Sequence, residues 1–198
     1  MPHITSRFSD AVEYARDAHK DHFRKGSGIP YLYHLLAVAS LVLEHGGSED
    51  QAIAALLHDV IEDCGVEHAS TIRHRYGDVV ADIVYDCTDG TAEDKLQETQ
   101  ANKKAKWRER KERYLEHLAK VPNDTLLVSV CDKLHNARAI VQDLQDPAIG
   151  PQVFERFTGE RNGTLWYYRS LVQIYEARES KVLRQLRETV DHMHALAI

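Results

Sequence analysis

The chain has little of what would make it a secreted scaffold, a membrane protein or a nucleic-acid binder. Its three cysteines, Cys64, Cys87 and Cys131, show no CxxC spacing and cannot all pair. That argues against a disulfide framework and fits a reduced, cytoplasmic setting. No apolar run approaches the roughly 18 residues that a membrane span needs. The opening Met1-Pro2-His3-Ile4-Thr5 lacks the basic-then-apolar order of a signal peptide. Positive charge is not in excess: a net charge of -6 argues against a general nucleic-acid binder. Strand-like alternation, internal repeats and low-complexity tracts are missing too. With 198 residues and 43% hydrophobic content, the chain is expected to be one soluble, well-packed domain spanning residues 1–198.

What is there is helical periodicity. Phe8, Val12, Ala15, Ala18, His22 and Phe23 recur at helical spacing and predict a first helix over residues 6–23. A basic loop, Arg24 to Pro30, leads to a helix that is apolar nearly all round (Leu32, Leu35, Leu36, Val38, Ala39, Leu41, Val42, Leu43) and stops at Gly46-Gly47. Ser48-Glu49-Asp50-Gln51 is a capping box that opens a third helix, expected to run on to Asp63. A short helix ending near Tyr76-Gly77 follows, and another runs from Val79 to Cys87. From Glu93 to Lys120 the sequence reads as a long charged helix. Pro122 breaks it, and Asn123-Asp124 is expected to cap the next helix, whose core side carries Leu126, Leu127, Val130, Leu134 and Ala137. One or two long helices from about Gly163 complete an all-α fold. The motif-bearing part spans about 6–145 and the C-terminal helices about 151–198.

Against this apolar pattern a few ionisable residues stand out. Of twelve histidines, His68, His74, His192 and His194 lie on charged faces and read as surface. His19 and His22 are intermediate, and only His34 and His58 sit inside apolar helical runs. Ala54-Ala55-Leu56-Leu57-His58-Asp59-Val60-Ile61-Glu62-Asp63 drives four ionisable groups into the last turn of a buried helix. Residues four apart share a helix face, which sets His58 beside Glu62 and Asp59 beside Asp63. Asp132 is embedded in another core helix and needs a partner. A lone buried histidine is more often a hydrogen-bonded core residue than a ligand, and a polar helix end is often just solvated. One cation held by His34, His58, Asp59 and Asp132 nevertheless answers all these oddities together. Mixed imidazole and carboxylate donors suit Mn²⁺ or another divalent transition metal. Glu62 and Asp63, one turn on, would orient water and take its proton.

His34, His58-Asp59 and Asp132 resemble the metal signature of the HD phosphohydrolase superfamily. The flanking words Ala18-His19, Arg24-Lys25, Pro30-Tyr31, Ala37-Val38-Ala39, the HDxxED run and Asp132-Lys133-Leu134-His135-Asn136-Ala137-Arg138 are similar to the hydrolase domain of the Rel/Spo alarmone enzymes. The resemblance runs from about Ala11 to Arg138 and implies an HD-domain fold. It further implies a Mn²⁺-dependent (p)ppGpp 3′-pyrophosphohydrolase of the stand-alone, small alarmone hydrolase kind. It carries over Arg24 and Lys25 near the purine and Asn136 on the nucleoside. Leu35 stands where the family usually has proline, and Ala139 where many members have a hydroxyl residue near the base. The alternatives are a phosphohydrolase acting on (p)ppApp or on a nucleotide such as NADPH, and a nucleotide sensor.

The basic run from Lys103 to Arg113 has two readings. It either solvates a long helix or supplies Lys103, Lys104, Lys106, Arg108, Arg110 and Arg113 to the 5′ phosphates of such a substrate. A nucleotide is the expected partner, nucleic acid and membrane are not, and a homo-oligomer is allowed.

Overall fold

The computed structural model describes residues 3–90, 99, 101–180 and 182–198. In chain order the helices are α1 (Ser6–Ala18), α2 (Leu32–Glu44), α3 (Glu49–Leu57), α4 (Val60–Cys64), α5 (His68–Tyr76) and α6 (Asp78–Cys87). Then come α7 (Lys103–Leu118), α8 (Asn123–Gln145), a 3-10 helix (Gly150–Arg156), α9 (Glu160–Ala177) and α10 (Leu183–Leu196). Among the described residues the only β pairing is an isolated bridge between Phe23 and Pro30, so the fold is all-α. None of these helices is long and apolar enough to cross a membrane.

Two helices organise the rest, and both are apolar on most sides. α2 buries His34, Leu35, Val38, Ala39, Leu41 and Val42, and α8 buries thirteen residues along its length, Asp132 and His135 among them. α2 packs on α3 and α8, α6 lies against α3 and α8, and α10 runs along α8. Every residue of α3 from Gln51 to Leu57 is buried, so this short helix is enclosed on all sides. Its start is held by the expected capping box: the Ser48 side chain accepts from the Gln51 N–H, and the Gln51 side chain accepts from the Ser48 N–H. The core is therefore a set of apolar helices packed around His34, His58 and Asp132.

Several boundaries differ from the sequence reading, each for a physical reason. α1 ends at Ala18, not at residue 23, because the chain turns back on itself there. Arg24 N–H donates to the Ile29 carbonyl and Tyr31 N–H to the His22 carbonyl, which leaves Phe23 57% exposed. The third helix is broken at His58-Asp59 into α3 and α4, although apolar periodicity runs straight through the break. Asn123 and Asp124 do not cap α8. Pro122 holds the N-cap position with no side-chain capping bond. Asn123 instead accepts from Arg178 and Asp124 from Gln51. Of the charged helix expected from Glu93, α7 covers Lys103–Leu118; residues 91–98 and 100, with Glu93 and Leu96, lie outside the described residues. The C-terminal part is two helices, the first beginning at Glu160.

Candidate active site

Three elements deliver the ionisable groups to one place. His34 comes from the first turns of α2, His58 and Asp59 from the α3–α4 break, and Asp132 from the middle of α8. His34 Nε2 lies 3.2 Å from Asp132 Oδ1 and 3.5 Å from Asp59 Oδ2. His58 Nε2 lies 3.1 Å from Asp59 Oδ2 and 3.6 Å from Asp132 Oδ1. His34, His58 and Asp132 offer donor atoms that all lie within 4.8 Å of one another.

Tautomers turn this proximity into a test of fit. His58 Nδ1 donates to the Ala55 carbonyl at 2.8 Å, and a carbonyl only accepts, so in the neutral ring the lone pair is on Nε2. His34 Nδ1 lies 2.8 Å from His135 Nδ1, which again leaves Nε2 facing inward. Both Nε2 atoms are buried and have no hydrogen-bond partner. Orphaned buried nitrogens are costly. Two of them aimed at two carboxylates make a site that a divalent cation completes, and the His/Asp donor set fits one.

The electrostatics agree. Burial alone would raise the Asp132 carboxyl, yet Lys133, His34 and His58 hold it well below the usual carboxylate range. Asp59 is likewise pushed up by burial but held well below that range by His58 and His34. Burial pushes the His58 imidazole down, and Asp59 and Asp132 more than reverse this, so it lies well above its ordinary value. The cluster thus holds ionised carboxylates and attracts positive charge.

A layer of supporting residues surrounds it. Lys133 Nζ donates to Asp132 Oδ2 at 2.6 Å, and Asn136 Nδ2 to Asp132 Oδ1 at 2.5 Å. Tyr31 donates its hydroxyl to Asp59 Oδ2 at 2.7 Å. Sequence reasoning gave no role to Lys133, His135 or Tyr31. The signal for the first two was their place in the α8 helix beside Asp132, and for Tyr31 its place one turn before His34. His135 is held neutral by burial beside His34, its pKa lowered to about 4. His68 and His194, read as surface, each have a partner: His68 Nδ1 with the Tyr14 hydroxyl and His194 Nε2 with the Leu165 carbonyl.

The other expected residues fall in distinct places. Glu62 Oε2 accepts from the Asp89 N–H at 3.2 Å, and Asp89 is itself buried against Lys111. Asp63 is half-buried at the end of α4, its N–H bonded to the Asp59 carbonyl at 2.8 Å. Arg24 Nη2 donates to Asn136 Oδ1 at 2.7 Å, and its guanidinium lies over Tyr31. Asn136 thereby bridges Arg24 and Asp132. Lys25 is exposed in the loop between α1 and α2.

Along α7 the basic residues differ from one another. The Arg108 guanidinium lies over the Trp166 ring, 3.2 Å from its centroid, and bonds Glu112. Lys104 pairs with Glu160, and Lys103 and Lys104 line a groove of about 560 Å³ whose lining includes none of the His/Asp cluster. The Arg110 side chain reaches Gly90. Lys106 is half-buried and Arg113 exposed.

Comparison with known proteins places the geometry in a family. A guanosine-3′,5′-bis(diphosphate) 3′-pyrophosphohydrolase of Haemophilus influenzae is 36% identical over 133 residues, covering 64% of this chain and 17% of that protein. The pyrophosphohydrolase MESH1 of Xenopus tropicalis is 33% identical over 132 residues, covering 65% of this chain and 66% of that protein. The chain thus spans less than a fifth of the Haemophilus relative and just under two thirds of the Xenopus one. Among solved structures, a metazoan SpoT ortholog described as hydrolysing ppGpp superposes with a TM-score of 0.70 at 24% identity, covering 98% of this chain and 97% of that one, a likeness of fold. A protein of Listeria monocytogenes EGD-e superposes with a TM-score of 0.65 at 26% identity, covering 80% and 96%. The HD domain profile matches residues 11–165, which contain all four of His34, His58, Asp59 and Asp132. With that span matched and those side chains gathered at one point, the chain belongs to the HD domain family.

Proposed function

We propose that this protein removes the 3′-pyrophosphate of (p)ppGpp, releasing GDP or GTP and pyrophosphate, with Mn²⁺ as its working ion. One observation carries the reading: two buried, orphaned imidazole nitrogens and two ionised aspartates converge on one point, and Glu62 and Asp63 follow on the helix that starts there. The relatives named for this activity support it. Mixed nitrogen and oxygen donors favour Mn²⁺ over harder ions that prefer oxygen alone. A divalent ion held by His34, His58, Asp59 and Asp132 would supply Lewis acidity toward a phosphoryl oxygen and a lowered pKa for water.

The chain's own groups do the rest. Glu62 and Asp63 orient the attacking water and accept its proton, with the backbone N–H of Asp89 fixing Glu62. Arg24 and Lys25 meet the purine and Asn136 the nucleoside, so the helix that carries Asp132 also registers the substrate. Basic side chains of α7 meet the 5′ phosphates. The three unpaired cysteines accord with a reducing, cytoplasmic compartment.

The test is pyrophosphate release from ppGpp with Mn²⁺ and with chelator. Release that needs the metal is expected; no release from ppGpp under either condition overturns the reading. A second substrate is favoured by one residue. Ala139, partly buried on α8, offers no hydroxyl to a base edge, and apolar sites discriminate weakly between polar analogues. ppApp is therefore expected to be hydrolysed with kcat/KM within roughly 10³-fold of ppGpp; a larger preference for ppGpp means other groups select the base.

A further inference from the structure

A second cluster of ligating side chains lies beside the first and takes no part in the reaction above. His19 caps the C-terminal end of α1, His22 follows in the turn, and Cys64 is the last residue of α4. His19 Nδ1 lies 3.0 Å from His22 Nδ1. Cys64 Sγ lies 3.7 Å from His19 Nδ1 and 3.8 Å from its Nε2. The three residues offer donor atoms that all lie within 4.8 Å of one another. A tetrahedral ion with metal–nitrogen bonds of about 2.0–2.1 Å and a metal–sulfur bond of about 2.3 Å spaces its donors about 3.3 Å (N to N) and about 3.6 Å (N to S) apart. The His19–His22 and His19–Cys64 spacings are within a few tenths of an ångström of those values, and the third pair lies within 4.8 Å. Its present bonds are slight by comparison: two nitrogens share a single proton, and the thiol points at the Ala18 carbonyl at 3.4 Å.

We propose that His19, His22 and Cys64 form a second metal site, for a borderline-soft divalent cation of the Zn²⁺ class, separate from the His/Asp centre. Sulfur and imidazole select such an ion, whereas the first centre has no sulfur and two carboxylates. Burial keeps His19 neutral, its pKa lowered to about 4, so its lone pair is available at neutral pH. The Cys64 thiol is pushed up to about 12 by burial and by Asp63 and Asp59, so binding breaks the S–H bond, forms a sulfur–metal bond and releases the proton to solvent. Cys64 and His22 are only half-buried, which gives the ion a way in. Three protein donors leave one position for water, and the ion is therefore exchangeable. It would tie the end of α1 to the residue that follows Asp63. His19 also stacks on Tyr31, at 5.0 Å between ring centroids, and Tyr31 donates to Asp59, so the second ion would abut the shell of the first.

Co²⁺ titration reads this site directly. In the full-length protein carrying Asp132→Ala, which disables the first centre, Co²⁺ should give a near-ultraviolet thiolate charge-transfer band and strong visible bands of a tetrahedral ion. One equivalent of Zn²⁺ should bleach them. Adding Cys64→Ser should abolish the charge-transfer band. His22→Gln, at a half-exposed turn position that tolerates the change, should weaken Co²⁺ binding by roughly tenfold or more. Far-ultraviolet circular dichroism checks that each variant is folded. No thiolate band in the Asp132→Ala protein, a band that survives Cys64→Ser, or unchanged affinity in His22→Gln each overturns the proposal. None of these readouts depends on hydrolysis, so they fail or succeed independently of the proposed reaction.

Discussion

In the proposed reaction, single residues divide the first centre into groups that would hold a cation and groups that would handle a proton. Asp132 touches both imidazoles and receives bonds from Lys133 and Asn136. Its replacement by alanine should remove bound metal and turnover together, and stoichiometric Mn²⁺ in purified Asp132→Ala would count against its role. Glu62→Gln and Asp63→Asn keep shape while losing charge. Metal should stay bound while kcat falls by roughly 10²-fold or more; if both lose metal as fully as His58→Ala does, these carboxylates are ligands instead. Lys133 is the less obvious case. Burial works against its charge, but Asp132 holds its pKa well above the ordinary value, so it stays a cation with its tip on Asp132 Oδ2, the carboxylate oxygen other than the one facing the imidazoles. Lys133→Met keeps the stem and removes the charge and the hydrogen bond that orient Asp132. Metal affinity should fall by about 10- to 100-fold, as for other lost outer-shell partners, and calorimetric titration with Mn²⁺ measures it. Unchanged affinity would show that Asn136 alone suffices to orient the carboxylate.

At the scale of helices, α7 shows how a basic surface is attached without a large apolar face. Trp107 is its anchor. The ring lies against two glycines at the start of α9: a Cβ at Gly159 would come within 2.5 Å of the indole, and one at Gly163 within 2.9 Å. Arg108 on Trp166 and Lys111 over Tyr167 complete the seam. Gly159→Ala should therefore overpack the joint at a cost of about 1–3 kcal/mol. For a chain of this size that lowers Tm by roughly 2–4 °C per kcal/mol. An unchanged Tm in a thermal scan would mean that the indole moves aside without loss.

This seam was not legible in sequence, because small residues mark close approach only once the partner is known. The same holds for the break at His58-Asp59, where neither glycine nor proline interrupts the periodicity and the His58 ring itself bonds the Ala55 carbonyl. By contrast, the all-round apolar character of α2 and α8 made His34 and Asp132 conspicuous from spacing alone. The closing of Cys64 on His19 joins residues 45 apart in the chain, which no local pattern could announce.

For the whole molecule, the buried histidines set how stability depends on pH. His19 and His135 are both held neutral by burial, with pKa values lowered to about 4, against about 6.5 in an unfolded chain. Between these values the unfolded state binds protons that the folded state refuses, so stability is full above about pH 6.5 and falls as pH drops toward 4. The ceiling is about 1.4 kcal/mol per pH unit for each ring, and solvent at the wetted edge of His135 lowers its share. His58 has the opposite sign. Its folded value is raised, so its contribution in metal-free protein is present below about pH 6.5 and is lost as pH rises through the folded value. Asp59 and Asp132, held low, act only below about pH 4. The acid limb from pH 6.5 to 4 thus belongs to His19 and His135 among the perturbed groups of the two clusters. Urea unfolding in chelator should give a falling free energy over that range. The double variant His19→Gln, His135→Gln should flatten the limb while leaving the slope above pH 7 in place. An acid limb as steep in the double variant as in the parent would assign the pH dependence to other groups.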